Sequence, residues 1–175
     1  GDLQTQLAAA RPLPEAIIRL MKMLPPSDGM DALRTLTSAL AHYDADAPDN
    51  SPRGSYRKAV RLTGQIASLV ATWGRLQQGG GPIAPDPSLG HAANFLYMLL
   101  GERPDPVAVR AMDVALVLHA DHELNASTFA ARVAAATLTD MHSAVVAGIG
   151  TLKGPLHGGA NAEVMKMLIE IGQDA

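Results

Sequence analysis

The chain has 175 residues, a size suited to one folded unit with a real core, and its 14 basic and 17 acidic residues leave a scattered net charge of -3, which argues against nucleic acid as a partner. It has no cysteine, which excludes disulfide and thiolate chemistry and suits a reducing cytoplasm. No apolar run approaches the roughly 20 residues that span a bilayer and the start carries no targeting pattern, so a soluble, cytoplasmic protein without a membrane partner is expected.

Pro14-Glu15 followed by Ile17, Ile18, Met21 and Leu24 predicts an amphipathic helix opened by proline and stopped by Pro25-Pro26. A second helix is predicted from about Met30 to Tyr43, with Ser27 or Asp28 as its cap, followed by a turn-rich stretch from Asp44 to Gly54. The longest helix is predicted from Tyr56 to Gln78, where Gly79-Gly80-Gly81-Pro82 breaks it. Ser88 to Leu100 forms another, closed by Gly101, and Pro106 opens one that ends near His122. Val114-Ala115-Leu116-Val117-Leu118 is apolar all the way round, which predicts a buried, central helix. Ala126 to Leu138 and Val145 to Leu152 are rich in small residues, as in a tight helix-helix or subunit seam, and a last helix is predicted from about Ala160 to Ile171. No segment alternates with period two, so the fold class is all-α.

Two polar clusters interrupt this apolar pattern. His119-Ala120-Asp121-His122-Glu123-Leu124-Asn125 gathers four ionisable groups at a helix end expected to be buried, which is costly unless they pair or meet a ligand. His119 has an alternative reading as a packing histidine with its hydrogen bonds satisfied. A metal site from His119, His122 and Glu123 is a further alternative, but the familiar zinc pair is spaced by four, so no metal is assigned. His42, His91 and His142 are read as surface or packing residues.

The second cluster is Gly154-Pro155-Leu156-His157-Gly158-Gly159-Ala160-Asn161. Its glycines bring the backbone close to whatever lies beside His157, and the following helix start offers free N-H groups and a positive dipole end that favours a neutral imidazole. Such an imidazole can donate a hydrogen bond to a developing enolate oxygen. The alternative is a glycine-rich turn that happens to contain a histidine.

The segment Leu118 to Thr128 resembles the DHE-containing substrate segment of the citrate synthase family, and Gly154 to Asn161 resembles its GPxHGxAN segment. His157 follows His122 by 35 residues, the family spacing. Pro87 to Met98 and Met30 to Arg34 are also similar to family segments, although Ser27-Asp28-Gly29-Met30 differs from the His-Pro-Met of many members. The resemblance covers nearly the whole chain, residues 1–175, as part of the large helical domain with no second domain present.

The resemblance implies condensation of oxaloacetate with acetyl-CoA, followed by thioester hydrolysis to citrate and CoA, with no cofactor and within a homodimer. It implies that His157 stabilises the acetyl-CoA enol, that His122 contacts oxaloacetate, and that Asn125 and Ser127 help line the substrate pocket. Family members are about twice this length, and beyond Ala175 they hold the catalytic aspartate, a further histidine and the arginines that clamp the carboxylates. A polypeptide ending at Ala175 is therefore not expected to turn over. Lys153, Arg132 and Lys166 are the cations near the motifs, and nothing marks them as a replacement clamp. A 2-methylcitrate synthase using propionyl-CoA is a close alternative, and a non-catalytic dimerising helical module is one of another class.

Overall fold

The structure, a computed structural model, describes residues 3–121 and 123–173, apart from the side chains of Asn161, Ala162 and Gln173. Among the described residues it is all-α, as predicted. The helices are α1 (Leu3–Ala10), α2 (Glu15–Met23), α3 (Gly29–Leu40), α4 (Pro52–Gln77), α5 (His91–Leu100), α6 (Pro106–Ala120), α7 (Ala126–Ala136), α8 (Met141–Leu152) and α9 (Gly159–Gln173), with a 3-10 turn at Ala41–Tyr43. The reading of the sequence has no counterpart of α1, which buries none of its residues.

Other differences lie at helix ends; those at α3, α4 and α8 trace to side-chain caps, whereas α5 starts at His91 rather than Ser88, after Gly90 and without a side-chain cap. Asp28 rather than Ser27 caps α3, accepting from the Met30 N-H at 2.9 Å. Ser51 accepts from the Gly54 N-H at 3.1 Å, so α4 starts inside the stretch predicted as turn. Asp140 caps α8 by accepting from the Ser143 N-H at 2.9 Å, starting that helix before its apolar run begins. Gly101, with φ +87°, closes α5 in the left-handed conformation that glycine adopts freely.

The 26-residue α4 is the spine, about 39 Å long at 1.5 Å per residue. It contributes Leu69 and Trp73 to a core with Ile17 and Met21 of α2 and Ala32, Leu36 and Leu40 of α3. Along its length it also meets α1, α5 and α8. Gly64 lets α1 come in close, since a Cβ there would stand 3.2 Å from backbone atoms of Leu7, Ala10 and Arg11. The antiparallel pair α7 and α8 forms a hairpin attached to α3 and α4 through α8, and α6 packs on α5.

One expectation about packing changes and another is narrowed. Among the described residues α6 is not a buried central helix, because none of its residues is buried and Val117 and Leu118 are 67% and 70% exposed. An apolar surface in the sequence reports that cover is favourable, not that this chain supplies it. The two small-residue stretches are each other's partner: a Cβ on Gly148 of α8 would lie 3.4 Å from the Ser127 carbonyl and 3.5 Å from the Ala131 Cβ of α7.

A polar cluster that the sequence reading does not contain braces the 44–51 loop against α4. Arg61 pairs with Asp44 and Asp46, and Arg57 Nε donates to Asp46 Oδ2 at 3.0 Å. The two guanidinium groups hold the Asp46 carboxyl well below the usual carboxylate range, chiefly through hydrogen bonds from Arg57 and Arg61. Lys58 is 0% exposed, and its ammonium donates to the Ala47 carbonyl at 3.2 Å and to Asn50 Oδ1 at 3.3 Å. From Asn50 the brace continues to the hairpin, its Nδ2 donating to the Leu138 carbonyl at 3.0 Å.

The seam geometry separates two substitutions at one position. Gly148→Ala adds a methyl at ordinary contact distance and removes glycine from a helix interior, so its stability is expected to stay level or rise by up to about 1 kcal/mol. Gly148→Leu has no room there and is expected to cost about 1–3 kcal/mol. Urea midpoints of the two variants check this, and equal midpoints would contradict the seam.

Candidate functional site

The two sequence clusters meet because the α7–α8 hairpin is antiparallel, which brings the start of α7 beside the end of α8. Asn125 is the N-cap of α7, its Oδ1 accepting from the Thr128 N-H at 2.9 Å and from the Ser127 hydroxyl at 2.8 Å. Ser127, in the first turn, reaches across to the loop after α8. Its Oγ lies 2.9 Å from His157 Nε2, and its backbone N-H points at the same nitrogen from 3.4 Å.

Two tautomers fit this arrangement. A neutral ring that accepts the Ser127 N-H at Nε2 carries its proton on Nδ1, whereas a ring protonated on Nε2 donates to Ser127 Oγ, whose own proton goes to Asn125. Among the described residues Nδ1 has no hydrogen-bond partner, which leaves that nitrogen available to a ligand.

The turn that carries His157 is tightly held. Its own N-H donates to the Gly154 carbonyl at 2.9 Å, and the Gly158 N-H donates to the Leu152 carbonyl at 3.0 Å. A Cβ on Gly158 would fall 2.2 Å from the Leu152 oxygen, so only glycine fits. The expectation of free N-H groups at the following helix start is revised, since those of Gly159 and Ala160 turn back to the Gly154 and His157 carbonyls at 3.4 and 3.3 Å. At the end of α8, Lys153 pairs with Asp31 of α3 at 2.6 Å and lowers that carboxyl below its usual range.

His157, Ser127 and Asn125 share a cavity of about 580 Å³ with His119, Asp121 and Glu123. An apolar cavity of similar size, about 590 Å³, lies between α4, α5, α6 and α8 and contains none of the predicted site residues, so chemistry rather than volume singles out the site. His119 is not the packing histidine of the alternative reading: it is exposed on the cavity wall, with Nδ1 donating to the Ala115 carbonyl at 2.7 Å. Glu123 has φ +59°, an uncommon conformation for a side chain of its size, and its N-H donates to Asp121 Oδ1 at 3.2 Å.

His122 lies outside the described residues, and with it the metal reading through His119, His122 and Glu123. Among the described residues no three metal-ligating side chains are gathered. Lys153 is engaged by Asp31 and Lys166 by Glu163 at 2.6 Å, so neither faces the cavity as a carboxylate clamp.

Asn125→Ala removes a helix cap and the acceptor that orients Ser127, and is expected to cost about 1 kcal/mol of stability. Asn125→Asp keeps both contacts and should retain most of it. Gly158→Ala is expected to displace the His157 turn, moving the imidazole resonances of that residue in NMR spectra. Unchanged resonances would mean that the Leu152 carbonyl gives way.

The family described as "Citrate synthase, C-terminal domain" matches residues 1–175. The chain is 51% identical over 174 residues to "Citrate synthase 2" of Bacillus subtilis, covering 98% of this chain and 47% of that protein. It is 43% identical over 169 residues to "2-methylcitrate synthase" of Mycobacterium tuberculosis, covering 95% of this chain and 42% of that protein. The crystal structure of citrate synthase from Pyrobaculum aerophilum superposes with a TM-score of 0.90 at 40% identity, over 98% of this chain and 45% of that one. The chain thus spans about half the length of the curated relatives it matches. With the family match over its whole length and these identities, the chain belongs to the citrate synthase family.

Proposed function

We propose that the polypeptide carrying this chain condenses oxaloacetate with the methyl carbon of acetyl-CoA and hydrolyses the thioester to release citrate and CoA. The observation that supports this most directly is the His157 imidazole at a polar cavity, held at Nε2 by Ser127; in this reading the ring accepts the Ser127 N-H at Nε2 and carries its proton on Nδ1. When the methyl proton leaves, negative charge develops on the thioester oxygen, and an N-H already aimed at that oxygen stabilises the enol without reorganisation. The enol carbon then attacks the ketone carbon of oxaloacetate, and water cleaves the resulting thioester. No cofactor is needed, because acetyl-CoA enters as a substrate.

In this reading His122 contacts oxaloacetate, while Ser127, oriented by Asn125, holds His157, and both Asn125 and Ser127 line the pocket. The cavity wall carries Asp121 and Glu123 and no lysine or arginine among its described residues. A dicarboxylate needs cations opposite it, so the clamp is supplied from elsewhere in the polypeptide or from a second copy. The catalytic base is assigned outside this chain on the same family resemblance. A homodimer would also cover the apolar faces that α6 leaves exposed, and a chain without cysteine suits the cytoplasm.

Propionyl-CoA is the second reading, favoured by the likeness to the 2-methylcitrate synthase of Mycobacterium tuberculosis. One methylene is worth only about 10- to 200-fold in discrimination, so the two acyl-CoAs must be compared directly. In the intact protein, kcat/KM is expected to be higher for acetyl-CoA; the reverse order would assign 2-methylcitrate synthase, and binding of oxaloacetate without turnover would support a non-catalytic module.

His157→Ala is expected to lower kcat by about 10²- to 10³-fold while oxaloacetate affinity, measured by calorimetry, stays close to that of the wild type. Near-normal turnover would refute the role given to His157. His122→Ala should instead weaken oxaloacetate binding, with unchanged affinity counting against its assignment.

A further inference from the structure

At the end of the α7–α8 hairpin away from His157, a buried histidine takes no part in the chemistry above. His142, in the first turn of α8, is 1% exposed. The charged groups that face it come from every side: Asp44 from the loop after α3, Asp140 from the start of its own helix, and Lys58 and Arg61 from α4. Both ring nitrogens are buried without a full hydrogen bond, and so is Asp44 Oδ2.

Two of these unpartnered atoms face each other, His142 Nε2 and Asp44 Oδ2, 3.4 Å apart. Their alternatives are taken. Asp44 Oδ1 accepts from Arg61 and from the Asp46 N-H, and Asp140 accepts from the Ser143 N-H and hydroxyl. A neutral imidazole has one N-H to give, and placing it on Nε2 satisfies both buried atoms with a small closure of the gap.

The contact also has a mechanical position. The 44–51 loop, braced by the cations of α4, grips the hairpin at Leu138 through Asn50 and at His142 through Asp44. The other end of α8 leads directly into the turn that seats His157 against Ser127.

We propose that His142, as a neutral imidazole donating from Nε2 to Asp44, is a positioning residue that anchors the base of the catalytic hairpin and releases it on acidification. The catalytic arm of this inference rests on the citrate synthase reading, whereas the anchoring arm does not. Burial lowers the affinity of His142 for a proton from the ordinary 6.5, and Lys58 and Arg61 act in the same direction against the opposing Asp44 and Asp140. The unfolded chain therefore takes up a proton near pH 6.5 that the folded one refuses. The stability contributed by the neutral residue is complete above that value and is lost as the pH falls below it.

The test compares wild type, His142→Gln and His142→Leu in the intact protein at about pH 7.5 and pH 5.5, on either side of the ordinary imidazole range. Glutamine reaches about as far as Nε2, donates an N-H and does not titrate. Its urea midpoint should match the wild type at the higher pH and fall less at the lower one. Half-buried His91, whose proton affinity is also lowered chiefly by desolvation, titrates in both proteins and cancels in the difference. Equal falls in wild type and glutamine variant would overturn the proposal.

On the catalytic side, the kcat profile of His142→Gln should lose part of its acid limb with KM unchanged. His142→Leu should lower kcat several-fold at pH 7.5 with little change in KM. Identical acid limbs in wild type and glutamine variant would reduce His142 to a structural role and overturn the positioning claim, even if the leucine variant fails to fold. If the intact protein shows no condensation at all, the functional reading fails, while the midpoint comparison still decides whether His142 is the anchor.

Discussion

The close approach of α7 and α8 sets the distances on which the candidate site depends. Gly148 carries no side chain where a Cβ would already touch the Ser127 carbonyl, so the two backbones run together with little between them. A larger residue there would push Ser127 outward, away from the His157 Nε2 that its Oγ meets at 2.9 Å. Placement of the imidazole is therefore a consequence of helix packing.

The hairpin is in turn fixed at both ends by polar contacts to the earlier part of the chain. At one end Lys153 reaches Asp31 on α3, and at the other the 44–51 loop holds Leu138 and His142. These two anchors differ in character. The lysine pair is solvent-facing and of a kind that contributes little stability. The loop contact includes a fully buried lysine and histidine, where a missing partner is expensive, so that end determines register.

Surface exposure divides the molecule along the same lines. The α2–α3–α4 core buries its apolar side chains, whereas α6 and α9 leave theirs open, with Leu118, Val117, Leu168 and Ile171 all more than half exposed. The cavity holding His157 opens on this less covered side, lined in part by the end of α6. Its walls carry Asp121 and Glu123 and no lysine or arginine among the described lining residues.

Sequence alone determined the helical class, most helix starts and the identity of the two site segments, because proline, glycine, capping residues and apolar spacing act within a few residues of where they stand. It also singled out His157 between glycines, one of which is required by contact with Leu152. Only the tertiary structure decided that Ser127 accepts the task of holding His157, that His119 lies on the cavity wall, and that His142 is a buried partner of Asp44 rather than a packing residue. Asp44, Lys58 and His142 are far apart in the chain, and their charges, read locally, look like ordinary surface residues. What makes them buried is the way the loop and α8 close over α4, and that depends on the packing of whole helices, which no local pattern encodes.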